Sequence, residues 1–186
     1  MRTGRRDLLK GAGALAAIPV MSGGTLALLT PSEAYAKAAP FGTLTPPEVA
    51  TLEAFGELLL PGARAAGIAH FIDHHLSVPP AESLLMLRYL DVPPPYAGFY
   101  RAGLAALDAY AAAVGGAPFA SLPGPAATGI VRAISAAPPP DWRGPPSPLF
   151  YFAVRSDAVD VVYGTEEGFE KLGVPYMAHI LPETKW

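Results

Sequence analysis

Leu44-Thr45-Pro46-Pro47-Glu48-Val49-Ala50-Thr51-Leu52-Glu53-Ala54-Phe55-Gly56-Glu57-Leu58-Leu59-Leu60-Pro61-Gly62 carries a complete set of helix signals. Thr45 can cap, a proline occupies the first helical position, and Glu48 can reach back to the cap. Leu44 and Val49 flank the start as a hydrophobic staple. Val49, Leu52, Phe55, Leu58 and Leu59 then recur on one helical face until Pro61-Gly62 stops the pattern.

Working outward, Ala65 to Ser77 reads as a second helix with Ile68, Phe71, Ile72 and Leu76 on its stripe, ended by Pro79-Pro80. Ser83 to Leu90 reads as a short third one. After Pro93-Pro94-Pro95, Tyr96 to Val114 is the longest pattern, carrying Phe99, Tyr100, Gly103, Leu104 and Leu107 and ending at Gly115-Gly116. Pro125 to Ser135 is a weaker helix. Residues 138–148, rich in proline, read as an extended, exposed loop. Leu149 to Tyr163 returns to helix through Phe150, Ala153, Val154, Asp157 and Val161. From Gly164 onward no period is visible, and no segment alternates with period two. The expectation is an all-α fold: a compact bundle of five to six short helices with an irregular Pro/Gly-rich C-terminal tail.

Upstream, Arg5-Arg6-Asp7-Leu8-Leu9-Lys10 matches the twin-arginine export signal. An apolar stretch from Gly11 to Thr30 follows, softened by Gly13, Pro19, Gly23 and Gly24, which argues against a membrane-spanning anchor. Ala34-Tyr35-Ala36 supplies the small-x-small cleavage pattern, with Ala36-Lys37-Ala38 as a second choice. Residues 1–36 are therefore expected to be a signal peptide and residues 37–186 a single helical domain, exported already folded to the periplasm.

The chain has 186 residues and no cysteine, which excludes disulfides, thiolate metal sites and a thiol nucleophile. It holds 19 glycines and 22 prolines, so helices should be short and loops stiff. Charged residues make up 16%, against about 25% in ordinary soluble domains, so apolar surface is to spare. Removing the leader takes away four of the thirteen basic and two of the sixteen acidic residues, leaving a net charge of −5. An acidic body argues against nucleic acid as a partner.

Candidate chemistry is sparse. His70 and His74, four apart on a helix, form with Asp73 and His75 a cluster of ligand type. The stripe Ile68/Phe71/Ile72/Leu76 would face the core and leave His70 and His74 on the solvent side, as surface histidines or as the metal site of a stand-alone envelope enzyme. Asp108 has Arg101 and Arg155 as candidate ion-pair partners between helices. No serine stands in Gly-x-Ser-x-Gly, and neither a dinucleotide fingerprint nor a Walker motif is present. No catalytic, cofactor-binding or metal-binding residue is therefore assigned. The C-terminal run instead interleaves aromatics, methionine and histidine with glycine and proline. Tyr163, Phe169, Leu172, Pro175, Tyr176, Met177, His179 and Ile180 read either as a partner interface or as a tail folded back on its own bundle.

Several segments in this order resemble the gluconate 2-dehydrogenase subunit 3 family. They are Arg5-Arg6-Asp7-Leu8-Leu9-Lys10, Leu44-Thr45-Pro46-Pro47-Glu48, Leu60-Pro61-Gly62, Gly67-Ile68-Ala69-His70-Phe71-Ile72-Asp73, Gly103-Leu104-Ala105-Ala106-Leu107-Asp108 and Tyr163-Gly164-Thr165-Glu166-Glu167-Gly168-Phe169. Gly173-Val174-Pro175-Tyr176 looks like the family's Gly-Tyr-Pro-Gly region, with departures. The resemblance implies a non-catalytic small subunit that helps a large flavoprotein of the glucose–methanol–choline type mature and pass the twin-arginine translocase. FAD would sit in that partner and no cofactor in this chain; a cytochrome c subunit often completes such complexes. A freestanding structural envelope protein is the remaining reading.

Overall fold

The computed structural model describes residues 18–22 and 25–174. Seven α-helices run in chain order among them: α1 Pro31–Ala36, α2 Pro46–Leu59, α3 Ile68–Ser77, α4 Ala97–Gly115, α5 Gly124–Ala136, α6 Ser147–Tyr163 and α7 Glu166–Lys171. Two 3₁₀ turns, Met86–Tyr89 and Phe119–Ser121, complete the helical part. The fold is all-α apart from one small hairpin, and no helix among the described residues is long and apolar enough to cross a membrane.

The quoted stretch forms α2 as its signals require. The Thr45 N–H donates to Glu48 Oε2 at 2.7 Å, and Leu44 and Val49 are both buried. Past the helix end, Glu57 accepts from the N–H groups of Gly62 and Arg64, each at 3.0 Å, so one carboxylate stabilises the whole turn. Phe55 becomes the centre of the core. It stacks on Phe150 of α6 at 5.5 Å and meets Phe119 edge-on at 5.7 Å. Gly103 of α4 must lack a side chain, because a Cβ there would lie 2.3 Å from the Phe150 ring.

Four expectations need correction. First, part of the apolar stretch that follows Arg5 and Arg6 in sequence forms antiparallel strands, β1 Ile18–Ser22 and β2 Thr25–Leu29, in register Ile18↔Leu29. Alternate residues Ile18 and Val20 are buried, in a small core of their own with Leu29, Ala34 and Ala39. Second, residues 83–90 yield only the 3₁₀ turn. Their backbone donors are diverted to side chains: Leu84 N–H to His75 Nδ1, and Met86 N–H to Asp157 Oδ1 at 2.9 Å. Third, the proline-rich loop turns inward at Trp142, which is buried, packs on Phe150 at 6.2 Å and donates its indole N–H to Pro145 O. Fourth, the tail contains α7, started by Thr165, whose hydroxyl accepts from Gly168 N–H at 3.0 Å.

Two carboxylates knit these helices together. Asp108 meets neither arginine: it accepts from Thr51 Oγ1 of α2 at 2.8 Å and from Phe119 N–H at 3.0 Å. Arg101 instead reaches Glu48 at 3.6 Å and the Thr43 carbonyl. Asp157 of α6 is fully buried, accepting from the Tyr100 hydroxyl of α4 and from Met86 N–H. Burial pushes the Asp157 carboxyl up to about 7 from its ordinary 3.8, against the lowering effect of those two donors and helped by nearby Asp160. A carboxyl raised by folding stabilises the fold fully below about pH 4, and that contribution is lost as pH climbs through about 7. The span is on the order of 4 kcal/mol. Asp157→Asn keeps both contacts, with the Tyr100 oxygen accepting from the amide. The stability difference between Asp157→Asn and wild type should therefore move in the variant's favour between pH 5 and 8, as read by urea unfolding at each pH.

Candidate functional site

Helix α6 carries large apolar side chains on its outer as well as its inner face. Its inner face (Phe150, Ala153, Val154, Asp157, Val161) fills the core against α2, α3 and α4. Its outer face carries Phe152, Arg155, Ser156, Val159 and Tyr163, a strip about 16 Å long at helical spacing with one exposed cation among its apolar side chains. Phe152 is 43% and Val159 39% exposed, flanking the exposed Arg155. Helix α7 then folds directly back on the last turn of α6: a Cβ on Gly168 would lie 2.6 Å from both Tyr163 Cα and Val162 O. Gly173, with φ +66, lets the chain turn away, and the Val174 N–H closes onto Phe169 O at 3.1 Å. Leu172 and Val174 are left 55% and 48% exposed at that point.

Of the expected interface residues, Tyr163 and Phe169 are half-buried around the α6–α7 junction and Leu172 is exposed. Pro175, Tyr176, Met177, His179 and Ile180 lie outside the described residues, as do Arg5, Arg6, Leu8, Leu9 and Lys10. Ala34 is fully buried in α1, and Ala36 is exposed at its end. Phe152, Val159 and Val174 escaped the sequence reading. Their signal was an apolar pair seven residues apart on the face opposite the core stripe of α6.

The histidine cluster is built differently from the expectation. His70 does not face solvent: it is buried, stacked on Phe41 at 4.2 Å, with Nε2 3.0 Å from the Ala39 carbonyl. Asp73 is buried too. Its Oδ2 accepts from Gly42 N–H at 2.8 Å, and its Oδ1 from Thr43 and Leu44 N–H at 2.8 and 2.7 Å. Residues 39–44 thus wrap over the second face of α3, and Asp73 is spent on holding them. His74 is half-buried and His75 buried; burial lowers both, His75 to about 4 with a smaller push from His74. Among the described residues no three His, Asp or Glu side chains are placed to hold a metal ion. A cleft of about 250 Å³ between α4 and α5, lined by Tyr110, Val114, Gly115, Ala126, Gly129 and Ile130, carries one polar group, the Tyr110 hydroxyl. Convergent polar groups of the kind that orient a small substrate are lacking there.

No curated protein and no solved structure gives a significant match to this sequence. The sequence model of the gluconate 2-dehydrogenase subunit 3 family matches residues 46–180, from the first turn of α2 to beyond α7. The chain belongs to the gluconate 2-dehydrogenase subunit 3 family.

Proposed function

We propose that this chain is the non-catalytic small subunit of a flavin-dependent dehydrogenase complex, and that it carries the large subunit through the twin-arginine translocase to the periplasm. The large subunit is of the glucose–methanol–choline type, holds the FAD and lacks an export signal. A cytochrome c subunit can complete the assembly.

The observation that carries this reading is the set of exposed apolar side chains Phe152 and Val159 on α6 and Leu172 and Val174 just past α7. A monomer gains nothing by exposing it, whereas a partner that covers it gains apolar burial at about 25 cal/mol per Å². The carboxylates of buried Asp73 and Asp157 and of half-buried Asp108 all serve this chain's own backbone and hydroxyls, which fits a body whose task is to hold a shape. A stable assembly should bury well over about 1,000 Å².

Affinity capture of this chain from cells that also express the flavoprotein tests the reading. Stoichiometric recovery of a polypeptide with a flavin spectrum is expected. Recovery of this chain alone, as a soluble monomer at micromolar concentration, would contradict it.

A further inference from the structure

Residues 18–22 and 25–36, within the segment expected to be cut during export, are folded into the body of the protein. Helix α1 begins with a capping box, in which the Thr30 hydroxyl accepts from Glu33 N–H at 3.2 Å and Glu33 Oε2 accepts from Thr30 N–H at 2.9 Å. It ends with Lys37 N–H bonded to Glu33 O at 3.0 Å and Ala39 N–H bonded to Ala34 O at 2.9 Å. The peptide bond between Ala36 and Lys37 therefore lies at a helix end with its N–H engaged. Ala34, two residues before Ala36, has no exposed surface.

Two contacts hold this segment against α3. The Gly67 backbone touches α1 so closely that a Cβ there would lie 2.0 Å from Pro31 O, and its φ of +83 favours glycine as well. The His70 ring meets the Ala39 carbonyl. Above them, Ile18, Val20 and Leu29 of the hairpin close a small core with Ala34 and Ala39. The apolar part of the leader thus forms the lid over its own cleavage region.

We propose that docking of residues 18–22 and 25–39 on α3 is a latch on signal removal: the folded chain is not a substrate for leader peptidase until the two strands and α1 lift away. This rests on the export reading above. Peptidases take their substrates as extended strands, so a helical site whose Ala34 side chain is buried is cut only from a locally opened state, at a rate scaled by the open population. An open fraction near 1% slows cleavage about 100-fold.

The test compares cleavage by purified leader peptidase, in detergent, of the full chain and of a synthetic peptide spanning residues 1–45. The peptide should be cut after Ala36, the full chain about 100-fold more slowly, and the Gly67→Val chain at close to the peptide's rate. Equal rates for peptide and full chain would overturn the latch and leave the leader reading intact. A peptide that is not cut there would overturn the leader reading and the latch with it. Should Gly67→Val fail to fold, amide exchange of the wild-type chain decides. Protection of the Ala34, Lys37 and Ala39 amides by about 100-fold over the peptide is expected, lost in Ile18→Asp while Leu52 and Phe55 stay protected. Exchange of those three amides at the peptide's rate would overturn the proposal.

Discussion

A chain carrying both Phe152→Asp and Val159→Asp is expected to fold as the wild type does and to lose the flavoprotein in affinity capture. Both side chains point away from the core and are about two-fifths exposed, so two aspartates there should change stability by no more than about 1 kcal/mol. In the assembly two carboxylates would have to be desolvated with Arg155 as their one neighbouring cation, and apolar anchors at the centre of an interface contribute about 2 kcal/mol or more apiece. Affinity should fall at least about 100-fold, enough to empty the capture. Ala113→Asp, on the exposed side of α4, is the control and should capture normally. Thermal unfolding of the double variant separates loss of binding from loss of fold. Normal capture by a folded double variant would move the interface elsewhere.

The second large effect concerns stability. Asp73→Ala removes the acceptor of three backbone N–H groups, and that of Leu44 is fully buried. An orphaned buried donor costs about 1–3 kcal/mol, and hydrogen bonds to a charged acceptor contribute more than neutral ones. With Gly42 and Thr43 partly solvated, a loss of about 3–4 kcal/mol is expected, roughly 10 °C in Tm for a domain of this size. Asp73→Asn keeps one oxygen for Thr43 and Leu44 but turns an amide toward Gly42, and should lose less than half as much. A metal-site role predicts a different pattern, in which stability depends on added zinc and on chelator. Equal melting of Asp73→Ala and wild type without metal would refute the structural role.

The contrast between α2 and α3 shows what the sequence makes legible. Helix α2 is specified by neighbours in the chain: Thr45 and Glu48 start it, Pro61-Gly62 ends it, and one face is apolar. Local signals suffice. Helix α3 has an equally clear stripe, yet His70 and Asp73 on its other side are buried because residues 39–44 cross over them. That covering comes from hydrogen bonds spanning about thirty residues, which no periodicity records. Trp142 escaped for a related reason, since prolines announce a loop but not the direction in which it folds. The hairpin at residues 18–29 was hidden in a run that reads as featureless until Ile18 and Val20 are seen to share a face. Asp108 was matched with arginines because charge suggests charge, whereas the space beside it is filled by a hydroxyl and a free N–H at a 3₁₀ turn. On α6 the outer apolar pair was overshadowed by the stronger inner stripe.

Escort of one protein by another is tested most directly where the passenger ends up. In cells expressing both subunits, Arg5→Lys with Arg6→Lys alters this chain alone and leaves the flavoprotein sequence untouched. Fractionation with an immunoblot for each polypeptide then reads their destinations. Both subunits retained in the cytoplasm, with dehydrogenase activity absent from the periplasm, is the predicted result. A flavoprotein found outside at its wild-type level while the small chain stays behind would contradict the account.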